Sequence, residues 1–301
     1  MREPTVYPDE ASWLAQRPKN INASEVSTIL GLNPHCSAYT LWAEKSGLID
    51  GPDVNFWMKW GHRVERPILD AFQEETGVKL QYIDPYAVWA HPDSPWLRCT
   101  PDDLGYSVAC KEPDCVVEAK SSMSFHVSER MDNSGDALLE HQIQVQIQMA
   151  CTGLKKGYIA AVVPRLGLQV YEYDYDPELM DRVIPKLRQF LSMVESGVAP
   201  DPDASDSTTE TLKLLHPDDN GLECVFDSAL AGDVARWKVA KQREKEAAEG
   251  VKLYANIIRA ALKDNTYGLL PDGSRVSWKT QERKEYTVKA GKSRVLRAHK
   301  H

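Results

Sequence analysis

The stretch 115–121, "CVVEAKS", limits what this chain can fold into more than any other. Its valines favour a strand. A strand sends alternate side chains to opposite faces. Val116, Glu118 and Lys120 therefore share one face, and Cys115, Val117 and Ala119 share the other. Glu118 and Lys120 then stand about 7 Å apart on one surface. Two arrangements satisfy such a strand. One is an exposed edge whose surface ion pair contributes little. The other is a working face, where the acid and the ammonium meet further charges.

A second feature favours the working face. The segment 57–77, "WMKWGHRVERPILDAFQEETG", places Val64, Ile68, Leu69 and Phe72 at helical spacing. Glu65 lies on the same stripe, with Ile68, Leu69 and Phe72 three, four and seven residues on, and is expected to face the interior. A buried carboxylate without compensation is costly. A third acid, Asp102, sits in the triplet Pro101-Asp102-Asp103 just upstream of the strand. If Glu65, Asp102 and Glu118 converge, two carboxylates about 5 Å apart repel by roughly 3 kcal/mol at an effective dielectric of about 20. Three together require a cation. Oxygen-only ligands select Mg²⁺ or Mn²⁺ over zinc. A lysine beside them orients or deprotonates a water, or stabilises an anionic transition state. The expected chemistry is phosphodiester hydrolysis by metal-activated water.

The rest of the chain reads as a mixture of helices and strands. Residues 8–50 read as helices and turns, with Asn22 or Ser24 as a cap and Gly31 as a stop. Strands are expected at "VKLQYI", "YAVWAH", "WLRCT", "CVVEAKS", "GYIAAVVP" and "LQVYEYDY", and helices over 136–152 and 178–197. The segment "IQVQIQM" alternates apolar and polar residues, which by pattern alone indicates a strand. Residues 199–227, rich in Pro, Asp, Ser and Thr, read as an acidic linker. A long helix over 228–263 and a hairpin around Asp272-Gly273 follow. The expected domains are a core at 1–198, the linker at 199–227 and an extension at 228–301.

The net charge of −8 argues against a polyanion partner until its distribution is read. Residues 251–301 carry 12 Lys or Arg and 4 Asp or Glu, a net of +8, so the preceding residues carry −16. No apolar run reaches 18 residues and the first residues hold no apolar signal core, so a cytoplasmic protein with no membrane span is expected. Six irregularly spaced cysteines in 301 residues are expected to be reduced thiols.

The order of "NASEVSTILGLNPHCSAYTLWAEKSG", "GHRVE", "TPDDLG", "VVEAKSS" and "HQIQVQIQMACTG" resembles the YqaJ-type viral recombinase family, lambda-exonuclease-like members of the PD-(D/E)xK nuclease superfamily. The resemblance spans about residues 10–195. It implies an α/β fold, with a restriction-endonuclease-like mixed central sheet flanked by helices and a C-terminal helix plus hairpin extension. It implies a two-metal Mg²⁺ site, with Mn²⁺ as a substitute, held by Asp102, Glu118, the Ala119 carbonyl and Glu65. Lys120 and Gln144 would position the attacking water, and Arg17 and Ser24 would bind a substrate 5′-phosphate. The implied activity is 5′-to-3′ exonuclease action on double-stranded DNA ends, leaving 3′ overhangs for recombination by strand annealing. The alternatives are an endonuclease on the same core and a catalytically degenerate DNA-binding scaffold. A trimeric ring, a single-strand annealing protein as partner and a phage or prophage origin in a bacterial host are likewise implied.

This sequence departs from the family's Pro-Asp-Gly by carrying Asp103 at the glycine position, and it adds a second Pro-Asp at Asp114. The family has a helix at "HQIQVQIQM", and that reading is adopted against the alternation. Cys99, Cys110 and Cys115 lack the tight spacing of a zinc knuckle and are expected to be buried thiols. Trp57 and Trp60 are expected to pack in the core rather than stack on bases. Arg275, Lys279, Arg283, Lys284 and Lys289 are candidate phosphate or acidic-partner contacts.

Overall fold

Why the strand pattern places Glu118 where it does becomes visible in the computed structural model, which describes residues 1–107 and 110–282. The chain divides into two units, Met1–Leu215 and His216–His301. The first unit opens with β1 (Thr5–Val6), α1 (Glu10–Ala15), β2 (Ile21–Asn22), α2 (Val26–Ile29) and α3 (Ala38–Lys45). Next come α4 (Phe56–Thr76), β3 (Lys79–Leu80), β4 (Ala87–Ala90), β5 (Leu97–Cys99), β6 (Asp103–Tyr106) and β7 (Cys115–Ser121). The unit closes with α5 (Phe125–Ser134), α6 (Leu139–Thr152), β8 (Lys156–Val163), β9 (Gly167–Asp174), α7 (Pro177–Ser196) and α8 (Asp206–Leu215).

A five-stranded mixed sheet, in the order β3-β6-β7-β8-β9, forms the frame. β7 and β8 are parallel, and the other neighbours are antiparallel. Helix α4 covers one face. Its Ile68, Leu69 and Phe72 pack with Cys115, Val117, Tyr158 and Ala160. Asn55 caps its start through a bond from Met58 N, and Gly77, at φ 73°, ends it in the left-handed conformation that glycine adopts without strain. Helix α6 lies across the opposite face. Its Ile143, Val145, Ile147 and Met149 belong to the larger core with Val116, Ile159 and Ala161.

The alternating "IQVQIQM" is helix, as adopted against its pattern, and three other features differ from the sequence reading. Nearly every residue of 143–152 is buried, and a helix enclosed around most of its circumference carries no single apolar stripe to betray its period. A second, four-stranded sheet, β1-β4-β5-β2, stands beside the expected one. Helix α5 was not anticipated. The acidic stretch 199–227 is partly ordered: within it, α8 docks on α3 through hydroxyls, with Thr40 Oγ1 2.7 Å from Ser207 Oγ and 2.8 Å from Thr211 Oγ1.

Trp57 and Trp60 are not core residues. They are 61% and 37% exposed in the first turns of α4, beside Phe56. Cys99 and Cys115 are buried, but Cys110 is exposed. The second unit holds α9 (Ser228–Leu262) and the hairpin β10 (Tyr267–Leu269) and β11 (Arg275–Ser277), turned at Gly273. Arg275 and Lys279 both lie over the Tyr267 ring. Arg283, Lys284 and Lys289 lie outside the described residues. Among the described residues, no helix is long and apolar enough to cross a membrane.

Candidate active site

Glu118 sits in the middle of β7, paired with Ile159 of β8, and its side chain turns toward α6. It is 2% exposed. An isolated carboxylate at that depth would be very costly, so its oxygens need donors. Lys120 Nζ and Gln144 Nε2 each donate to Oε1 at 2.5 Å, and Gln148 Nε2 donates to Oε2 at 2.5 Å. Gln144 and Gln148 are one turn apart on α6 and so share a face. The strand alternation and the helix phase together make this knot, in which charge-assisted bonds compensate the buried acid.

Asp102 lies just before β6, where the sheet's antiparallel register brings it beside β7. Its Oδ2 accepts a bond of 2.7 Å from Ala119 N, the amide between Glu118 and Lys120. Burial holds the Asp102 carboxyl well above the usual carboxylate range; the negative charge of Glu118 adds to this, Lys120 opposes it, and Glu65 adds further. Glu65 is half-buried rather than interior, because it stands at the rim of the α4 stripe, 3.8 Å from His62 Nδ1. Burial raises its pKa, His62 opposes this, and Glu118 adds to the rise. Desolvation works against the charge on Lys120, but Glu118, Asp102 and Glu65 outweigh it and hold its pKa above the ordinary lysine value. The charges of Glu65, Asp102, Glu118 and Lys120 thus act on one another.

The neighbouring acids take other parts. Asp103 is 1% exposed and has partners of its own. Its Oδ1 accepts from the backbone N–H groups of Tyr82, Ile83 and Leu104, and its Oδ2 lies 3.5 Å from Arg66. Asp114 accepts from Ser107 N in a turn.

A divalent cation fits these residues in kind. The available donors are carboxylate and carbonyl oxygens, and three acids stand against one ammonium. The arrangement is a separate matter. Among the described residues no three His, Cys, Asp or Glu side chains are gathered as ready-made ligands, and both oxygens of Glu118 are engaged by N–H donors.

Arg17 and Ser24 are brought together. Arg17 Nη2 lies 3.4 Å from Ser24 Oγ, and its guanidinium rests over the Trp13 ring at 5.0 Å. The turn Ala23–Glu25 that holds Ser24 packs on α6, which links this pair to the helix of Gln144. Behind it, the buried Lys45 ammonium donates to the carbonyls of Arg17 and Asn20 and pairs with Glu25 at 2.9 Å. Sequence reasoning missed Lys45 and Gln148. The spacing of Gln144 and Gln148 would have found the latter once α6 was taken as a helix.

Residues 12–155 match the model of the YqaJ-like viral recombinase domain. The chain is 23% identical over 261 residues to the uncharacterized protein YqaJ of Bacillus subtilis (strain 168), covering 86% of this chain and 80% of that protein. The alkaline exonuclease LHK-Exo of Laribacter hongkongensis superposes with a TM-score of 0.52 at 21% identity, over 62% of this chain and 94% of that one. LHK-Exo in complex with dAMP gives 0.51 at 19% identity, over 67% and 96%. The likeness to these structures is one of fold, and it matches the mixed sheet with flanking helices described above.

Proposed function

We propose, from the match of residues 12–155 to the model of the YqaJ-like viral recombinase domain, that this chain is a Mg²⁺-dependent exonuclease that digests linear double-stranded DNA from a 5′ end and leaves a 3′ overhang. The observation that carries the reading is the Glu118 knot. A carboxylate 2% exposed, inside a central strand, is tied to Lys120 and to a helix glutamine, with Asp102 and Glu65 close enough to shift each other's protonation. Stability alone gives no reason to gather three acids there, since replacing buried charges by apolar groups is often neutral or stabilising.

Asp102, Glu118 and the Ala119 carbonyl would hold one cation and Glu65 would support a second, with Mn²⁺ as a substitute. Such ions supply an activated water and a Lewis acid for the phosphate. Lys120 presents its ammonium to the charge that develops on the scissile phosphate. Gln144 orients the attacking water. Arg17 and Ser24 grip the terminal 5′-phosphate, supported by Lys45 and Glu25. That LHK-Exo is an alkaline exonuclease seen with dAMP, a mononucleotide such as end digestion releases, supports exonuclease over endonuclease action. A ring of three copies around the duplex and a single-strand annealing partner complete the proposal.

The test uses linear duplexes with and without a 5′-phosphate, in Mg²⁺, with the parent and Lys120→Ala. The parent is expected to prefer phosphorylated ends, and Lys120→Ala to bind DNA but cleave it about 100- to 1000-fold more slowly. Equal cleavage by both proteins removes Lys120 from the chemistry. Closed circular plasmid cut as readily as linear ends replaces the exonuclease reading with the endonuclease one. DNA binding without any cleavage in Mg²⁺ or Mn²⁺ replaces it with the scaffold.

A further inference from the structure

Tyr82 stands in the left-handed region at φ 61°, where bulky residues are rarely found. Such a conformation persists only when the surroundings impose it. Here they do. The buried Asp103 carboxylate accepts the N–H of Tyr82 at 2.9 Å and that of Ile83 at 3.4 Å, which fixes the backbone. The Arg66 guanidinium lies over the tyrosine ring at 3.7 Å from its centroid, which fixes the side chain. Arg66 is itself held by Asp70 at 2.6 Å and Asp103 at 3.5 Å. Yet the ring so carefully held is 61% exposed and fills no part of the core. A glycine or asparagine would take the same turn with less strain.

The position gives the ring a use. Its two supports adjoin the acid cluster in the chain: Asp103 follows Asp102, and Arg66 follows Glu65. With one face against Arg66 and the rest open, the ring is a rigid, flat platform. Asp70 and Asp103 neutralise Arg66, so the platform offers an aromatic surface rather than a phosphate contact. Stacking on such a ring suits any nucleobase, because every base has a π face.

We propose that Tyr82 is a substrate-contacting residue, on which an unpaired nucleobase at the DNA end stacks beside the acid cluster. This deepens the nuclease reading and rests on it. The left-handed backbone aims the ring, and the Asp103–Arg66 pair keeps it aimed.

The experiment uses the full chain in EDTA, so that binding is read without cleavage. The probe is a fluorescent duplex whose last two pairs are mismatched. A second probe has abasic sites at those positions. Thermal unfolding is followed for each variant. Tyr82→Phe is expected to bind the mismatched end as the parent does. Tyr82→Gly is expected to bind it about tenfold more weakly, while melting at the same or a higher temperature. On the abasic probe the parent and Tyr82→Gly are expected to be equal. Equal affinity of parent and Tyr82→Gly for the mismatched end overturns the proposal. So does a lower melting temperature for Tyr82→Gly with equal losses on both probes, since the ring is then a cover for the Arg66–Asp103 pair. The parent's cleavage of the fully paired duplex in Mg²⁺ is measured separately. Its absence, with the base-dependent loss still present, sinks the nuclease reading and leaves the base contact standing.

Discussion

Gln148 offers the sharpest test of how the Glu118 carboxylate is held. The side chain is fully buried, its Nε2 donates to Glu118 Oε2 at 2.5 Å, and its own buried Oε1 finds no partner among the described residues. Gln148→Leu therefore does two opposing things. It removes a hydrogen bond to a charged acceptor, a loss of about 1.5–3 kcal/mol. It also removes an orphaned buried oxygen, a gain of about 1–2 kcal/mol. The net effect on the parent is about 1 kcal/mol of destabilisation. The informative quantity is the coupling. In a Glu118→Gln background the same amide donates to a neutral oxygen, a bond contributing about 0.5–1.5 kcal/mol, so the loss shrinks or changes sign. The double-mutant cycle should give a coupling of about 1 kcal/mol, within the range for groups in contact. Urea unfolding of the four proteins at neutral pH, followed by far-UV circular dichroism, reads this as a midpoint difference of a few tenths molar. Effects that add to within about 0.3 kcal/mol refute the reasoning. Gln148 would then be packing against Glu118 without solvating its charge.

Two further perturbations probe the same frame. Burial, with help from the Lys120 and Arg130 charges, pushes the His141 imidazole down to about 3 from the ordinary value of 6.5. The unfolded chain therefore binds a proton that the folded chain refuses between pH 6.5 and 3, so this stability is full above pH 6.5 and is lost as the pH falls. Subtracting the pH profile of His141→Gln from that of the parent should leave a slope approaching about 1.4 kcal/mol per pH unit across this window; a flat difference contradicts the assigned burial. In β8, a Cβ on Gly157 would collide with Val145 of α6 and stand 3.0 Å from Val116 of β7. Gly157→Ala should destabilise the first unit by about 1–3 kcal/mol in the same urea assay, and an unchanged midpoint contradicts the close seating of α6 on the sheet.

Where the sequence was legible, the reason was a period that one face imposes. The 3.6-residue stripe of α4 read correctly because one side packs on the sheet and the other meets solvent. The two-residue period of β7 placed Glu118 and Lys120 on one surface, and both now meet on the α6 side of the sheet. The period failed where burial was not one-sided. Helix α6 is enclosed, so its alternation of Ile, Val and Gln reports composition rather than geometry. Strands β1 and β2 are two residues long, too short to carry any pattern, and so the second sheet stayed hidden. The exposure of Trp57 and Trp60 was missed because apolar character at a helix start looks the same whether it meets core or water. Tyr82's strain lies in a φ angle, which no residue type announces.

The charges in β7 follow from the same geometry. The α6 face of the sheet is otherwise lined by Val116, Ile159 and Ala161, so an acid at 118 enters an apolar layer. It is tolerated because three donors reach it from two directions: along the strand from Lys120, and across the layer from one turn of α6. Neither direction suffices alone. Lys120 is partly exposed and belongs to a flexible side chain, and two amides carry no net charge to balance a carboxylate. The second acid, Asp102, then has no cation of its own among the described residues. It is tied by one backbone N–H and shares the field of Lys120 with Glu118 and Glu65. A fold selected for stability would shed one of these acids, since each raises the cost of ionising the next. Keeping all of them within reach of a single ammonium makes sense when the surplus negative charge is itself what the site offers. A cation bound there would lower the energy of every acid at once.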